Sequence, residues 1–144
     1  MKVRIKRLHP DAVIPKYAKA GDAGMDLTAV EAERAWDIMT YKTGLAVEIP
    51  EGHVGLLFPR SSVYKTSMAL SNCVGVIDSG YRGEIMMKFD INTHNSPVYK
   101  VGERVAQIII LPYPQIEFEE AWELSNTERG KGGFGSTNIG GKNV

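Results

Sequence analysis

Apolar runs in this chain are short, and turn-forming residues end nearly all of them. Leu45 to Ile49 stops at Pro50-Glu51-Gly52, Val54 to Phe58 at Pro59, Cys73 to Ile77 at Asp78-Ser79-Gly80, and Ile85 to Ile91 shortly before Asn95-Ser96-Pro97. Arg104 to Leu111 is cut by Pro112, and a further candidate runs from Ile116 to Ala121. Near the N-terminus Val3, Ile5 and Leu8 nearly alternate with Arg4, Lys6 and Arg7, as a half-exposed strand requires. Strands of this length at this spacing build a sandwich or barrel, so the chain is predicted to be all-β. Ala29 to Met39 alone has a helix-like composition, without a sustained apolar stripe, and Val63 to Ser67 has room for a turn or two. No repeat or linker divides the 144 residues, so residues 1–144 are expected to form one domain, a size that buries roughly 70% of the unfolded surface.

Lysine plus arginine and aspartate plus glutamate balance at 17 each, so no overall field favours nucleic acid or a membrane, and a charged ligand must be gripped locally. The single cysteine, Cys73, excludes an intrachain disulfide; its apolar setting, Asn-Cys-Val-Gly-Val-Ile, predicts a buried, inert thiol. MKVRIKRL alternates basic and apolar residues and so does not read as a secretory signal. No stretch approaches the roughly 18 apolar residues of a membrane span, which predicts a soluble, intracellular (cytoplasmic) protein.

Several local features have simple structural readings. Asp78-Ser79-Gly80 suits a tight turn, and Arg60-Ser61-Ser62 suits the cap of a short helical turn. The same geometry with an anion in place of solvent would bind phosphate, because a forked guanidinium, hydroxyls and exposed amides all match its oxygens. Gly130 to Gly135 lacks the Lys-Ser or Lys-Thr pair of a P-loop, and His9, His53 and His94 lack zinc-site spacing and read as surface residues. The stretch RGKGGFGSTNIGGK from Arg129 to Lys142 cannot pack a core alone; it reads as a tail, or as a segment that orders over a ligand.

Taken together, five segments in order carry more than any one of them: AGDAGMDL from Ala20, PRSS from Pro59, GVIDSGYRGEI from Gly75, GERVAQ from Gly102 and RGKGGFGST from Arg129. In these the chain resembles the trimeric dUTPases along nearly its full length. The resemblance implies a distorted jelly-roll β-barrel or sandwich, assembled as a homotrimer, with a flexible C-terminal arm over residues 126–144 exchanged between subunits. It implies hydrolysis of dUTP to dUMP and pyrophosphate by water attack on the α-phosphate, which keeps uracil out of DNA and supplies dUMP for thymidylate synthesis. The implied partners are dUTP and two further copies of the chain, with no nucleic acid or membrane.

By the same resemblance Asp78 is the general base that deprotonates the attacking water. The stretch from Asn72 through Met86, including Gly75, Val76 and Ile77, is a β-hairpin whose backbone groups pair with uracil. A mismatched base would leave buried polar groups unpaired there. Tyr81 packs against deoxyribose and excludes a ribose hydroxyl. Arg60, Ser61, Ser62 and Gln107 hold the phosphates, with Ser61 polarising the bridge that breaks. Asp26 steadies the arginine and the water shell of a magnesium ion, itself held mainly by the triphosphate. In the arm, Phe134 stacks on uracil while Arg129, Gly135, Ser136 and Thr137 close over the γ-phosphate. Lys131 and the residues from Ile139 to Val144 receive no role.

One departure sharpens the alternatives. Many dUTPases have glycine where Ser62 stands, and the related dCTP deaminases often share the Arg-Ser-Ser form. Those deaminases carry a catalytic glutamate ten residues beyond the aspartate, where this chain has Lys88, which cannot act as that carboxylate. A non-catalytic nucleotide-binding regulatory trimer of the same fold is the other alternative. Retention of Asp78, Arg60, Gln107, Tyr81 and Phe134 together argues against it.

Overall fold

The computed structural model of the chain describes residues 1–93 and 97–133. Among them are ten strands: β1 (Arg4–Arg7), β2 (Met25–Thr28), β3 (Glu31–Ala35), β4 (Ile38–Lys42), β5 (Leu45–Glu48), β6 (His53–Pro59), β7 (Met68–Leu70), β8 (Gly75–Ile77), β9 (Met86–Ile91) and β10 (Arg104–Pro112). A 3-10 turn over Ser61–Lys65 separates β6 from β7. The strands form two four-stranded antiparallel sheets, ordered β2-β10-β6-β8 and β3-β4-β9-β7, and a small β1-β5 pair. The fold is the all-β jelly roll expected from the sequence. No helix among the described residues is long and apolar enough to cross a membrane.

Period-two alternation explains how the sheets close on one another. Along β9 Met87, Phe89 and Ile91 are buried, whereas Met86 and Lys88 are exposed. They pack with Met39 and Tyr41 of β4, Leu27 of β2, Leu57 of β6 and Val105 and Ile108 of β10 in one apolar cluster. The buried polar side chain Thr43 is satisfied: its hydroxyl donates to the Ile85 carbonyl at 2.7 Å and accepts from the Leu45 amide at 3.2 Å.

At one end of the core Tyr41, Phe89 and Tyr99 meet edge to face, with centroids 5.8, 6.2 and 6.4 Å apart. The Tyr41 hydroxyl donates to the Tyr99 carbonyl at 2.9 Å. Burial pushes the Tyr41 phenol up to about 12. The unfolded chain therefore loses this proton near the ordinary value of 10 while the folded chain keeps it, so the stability is intact below pH 10 and falls as pH rises towards 12. Between pH 9 and pH 11, urea titrations should show a Tyr41 contribution of about 1.3 kcal/mol in total, most of it lost above pH 10. An equal loss in Tyr41→Phe would refute the assignment.

Several expectations are corrected. Residues 29–39 are not helical but run into the β3–β4 hairpin, which turns at Trp36 with φ 56°. β3 is exposed throughout, so pairing with β4 fixes its conformation and its own composition does not. Ile116 to Ala121 contains no strand among the described residues, and its side chains stand in solvent. Cys73 is exposed as well, because it occupies a bend with φ 59° outside β8. β2 and β7, of four and three residues, were too short for their patterns to stand out.

Candidate active site

Two groups of the expected site residues sit at different places in the fold. The first is built where β2, β10 and β6 run side by side, with Gln107 paired to Asp26 on one flank and to Phe58 on the other. Arg60 follows β6 directly, and its Nε and Nη2 donate to the two Asp26 carboxylate oxygens at 2.7 and 3.3 Å. Arg104 Nη1 adds a third bond to Asp26 at 3.1 Å. One carboxylate thus fixes two guanidinium groups and leaves a net positive charge, the arrangement that suits a polyanion. The sequence marks Arg104 only by its place two residues from the start of GERVAQ, and its contact with Asp26 emerges from the fold.

Gln107 Nε2 donates to the Pro59 carbonyl at 3.1 Å, which holds its amide over the same cleft. Gly24 makes this possible, because a Cβ there would lie 2.4 Å from Gln107 Oε1. The cleft measures about 520 Å³ and is bordered by Lys16, Lys19, Asp26, Arg60, Arg104 and Gln107.

Arg60 is the residue before the 3-10 turn, but no side chain caps that turn. The serine cap that the sequence suggested is absent there. Ser62 Oγ instead lies 3.2 Å from the Tyr99 hydroxyl and accepts a long bond from Arg60 Nη1 at 3.5 Å, linking the arginine to the aromatic end of the core. Ser61 is exposed beside it.

The second group surrounds β8. Asn72, Gly75 and Met86 border a cleft of about 380 Å³ together with Leu57, Leu70 and Lys88. Val76 points to solvent and Ile77 is half-buried. The expected hairpin from Asn72 to Met86 is not a two-stranded ladder: β8 pairs with β6, whereas β9 pairs with β4 and β7. The connection crosses from one sheet to the other, because the core lies between the two strands. Asp78 is exposed at the start of this crossing, in a turn closed by the Tyr81 amide donating to the Asp78 carbonyl at 3.1 Å. Tyr81 is 40% exposed, and its hydroxyl donates to the Glu84 carbonyl at 3.0 Å.

Register separates the two groups. Ile77 lies opposite Gly55 near the start of β6, whereas Arg60 lies beyond its end. Five residues of strand span roughly 17 Å. Arg129 is exposed, and its Nε donates to the Gly132 carbonyl at 3.0 Å. Phe134, Gly135, Ser136 and Thr137, like His94, lie outside the described residues.

Among the described residues no three His, Cys, Asp or Glu side chains converge as a metal cage. Asp26 has about four lone-pair sites, and the three bonds above use most of them. That donor set fits a hydrated divalent cation carried by phosphate oxygens, with Asp26 reaching at most a coordinated water.

Fold and cleft chemistry together define a jelly-roll protein with a positively charged cleft. The family model described as dUTPase matches residues 11–138. "Deoxyuridine 5'-triphosphate nucleotidohydrolase" of Hydrogenobaculum sp. is 40% identical over 143 residues, covering 96% of this chain and 99% of that protein. The protein of the same description from Picosynechococcus sp. is 43% identical over 142 residues, covering 95% and 99%. Among solved structures, a mutant of Staphylococcus bacteriophage 80alpha dUTPase with dUpNHpp superposes with a TM-score of 0.82 at 29% identity, covering 94% of this chain and 98% of that one. A phage phi11 dUTPase mutant described with a structural Mg(II) ion gives 0.73 at 26% identity, covering 85% and 98%. The chain belongs to the dUTPase family.

Proposed function

We propose that this protein hydrolyses dUTP to dUMP and pyrophosphate in the cytoplasm, removing a precursor of uracil in DNA and supplying dUMP for thymidylate synthesis. The observation that carries the reading is the Arg60–Asp26–Arg104 cluster, whose excess positive charge faces a cleft that also presents Gln107. Asp78 accepts a proton from water as the water oxygen bonds to the α-phosphorus. The bond from that phosphorus to the α,β-bridging oxygen breaks, and pyrophosphate leaves with the electron pair. Arg60, Ser61, Ser62 and Gln107 hold the phosphates and stabilise the charge that develops on the leaving group. Asn72, Gly75, Val76, Ile77 and Met86 border the uracil, Tyr81 the sugar. Arg129, Phe134, Gly135, Ser136 and Thr137 close over the nucleotide. Asp26, acting through a coordinated water, would steady a Mg²⁺ carried by the triphosphate, and such an ion would neutralise part of the phosphate charge.

A strand-length gap between Arg60 and Asp78 is too wide for both to reach one α-phosphate from the same chain. Sharing of the site among three copies, with residues 126–144 as the exchanged arm, accounts for it. The exposed Ile116, Phe118 and Trp122 that lead into the arm suit such an exchange. Deamination of dCTP is disfavoured because Lys88 borders the Asn72–Met86 cleft where that reaction needs a carboxylate.

The test is pyrophosphate release from dUTP, dCTP, dTTP and UTP with Mg²⁺. Release from dUTP alone is expected, and ammonia release from dCTP should stay at background. Well-folded protein that leaves dUTP intact would overturn the proposal.

A further inference from the structure

The turn that carries Asp78 is held by a side chain that has no part in the reaction scheme above. Arg82 folds back along its own loop, and its Nη1 donates to the Ser79 carbonyl at 2.6 Å and to the Tyr81 carbonyl at 2.9 Å. These carbonyls flank Gly80, where a residue without a side chain leaves the backbone otherwise free to move. Arg82 Nη2 lies 3.9 Å from Glu48 Oε1 at the end of β5, and Arg4 Nη2 of β1 bonds to the same oxygen. Beyond Arg82 the loop is tied down a second time, because Glu84 Oε1 accepts the Gly44 amide at 2.7 Å just before β5. Gly83 lies under the Tyr81 ring, where a Cβ would meet the phenol oxygen at 2.3 Å.

From this network we infer that Arg82 is a positioning residue for dUTP hydrolysis, fixing the Ser79–Tyr81 backbone so that the Asp78 carboxylate meets the attacking water. The inference rests on Asp78 being the base. Exposed ion pairs contribute little stability, and Arg82 is 54% exposed, so its contacts matter more for the aim of the turn than for folding. Arginine suits the task because one planar head reaches two carbonyls and a carboxylate at once, which a lysine ammonium does with less directional control.

The experiment compares wild type, Arg82→Ala, Arg82→Lys and Asp78→Asn for kcat with dUTP and for affinity towards the non-hydrolysable dUpNHpp. Misplacement of a reacting group by about 1 Å costs on the order of 10²-fold in rate. Arg82→Ala should therefore lose between tenfold and a hundredfold in kcat, with analogue affinity within about threefold of wild type. Arg82→Lys should fall between the two. A kcat for Arg82→Ala within twofold of wild type would overturn the inference, and so would loss of analogue affinity in step with kcat, since that would mark a direct nucleotide contact. Should Arg82→Ala fail to fold, Arg82→Lys decides: reduced kcat with unchanged affinity supports positioning, and wild-type kcat refutes it. Asp78→Asn separates this inference from its premise. If it turns over at the wild-type rate, the base assignment falls and the Arg82 role with it; if it is inactive while Arg82→Ala is not slowed, only the Arg82 role falls.

Discussion

Asp78→Asn is expected to lower dUTP turnover by about 10²–10⁴-fold, the range a positioned general base contributes. An amide keeps the size and most hydrogen-bonding capacity of the carboxylate but cannot take the proton that water must release. Because Asp78 is exposed and its turn is closed by backbone and Arg82, the substitution leaves the surrounding geometry with its own supports. Affinity for dUpNHpp should hold or improve, since a negative charge near a polyanion is removed. Single-turnover measurement isolates the chemical step from product release. A chemical rate within fivefold of wild type would exclude Asp78 as the base.

The largest loss of stability is expected at Phe89. It is fully buried on β9, a central strand between β4 and β7, and its ring is shared by Tyr41 and Tyr99. Phe89→Ala should cost about 3–5 kcal/mol, the usual range for emptying an aromatic site that cannot collapse. That is a large part of the 5–15 kcal/mol typical of a domain. Urea unfolding at fixed protein concentration measures it, because assembly would otherwise shift the midpoint. Tyr99 also bonds to Ser62 beside Arg60, so nucleotide affinity should weaken before the fold is lost. A cost below 1 kcal/mol would mean that this end of the core is not closely packed.

What could be read from the sequence follows from where the information lies. β6, β9 and β10 each carry their own alternation and turn signals, and each was anticipated within two residues at either end. β3 could not be found this way: Glu31, Ala32, Glu33, Arg34 and Ala35 have no buried face, and their extended form comes from a neighbour. Cys73 was misjudged because apolar flanks say nothing about a bend that turns a residue outward. Ile116 to Ala121 has a strand-like composition, but a strand also needs an edge to pair with, and residues 113–131 are all exposed. At the site, spacing of motifs drew attention to residues at both ends of β6, yet no spacing could reveal that a strand's length separates Asp78 from Arg60. That distance is a matter of register. The second guanidinium on Asp26 is likewise a product of pairing between β2 and β10.

The hairpin tip at Trp36 and the exposed segment after β10 have a spectroscopic consequence. The chain has two tryptophans, and in the isolated chain both are solvent-facing, Trp36 at 94% and Trp122 at 104% exposure. Neither indole touches the core, so loss of the core in an isolated chain would leave tryptophan emission nearly unchanged. Unfolding is better followed by far-ultraviolet circular dichroism. In a Trp36→Phe background the emission maximum belongs to Trp122 alone, and a shift to the blue on raising protein concentration becomes a direct optical signal that another copy has covered the segment leading to the arm.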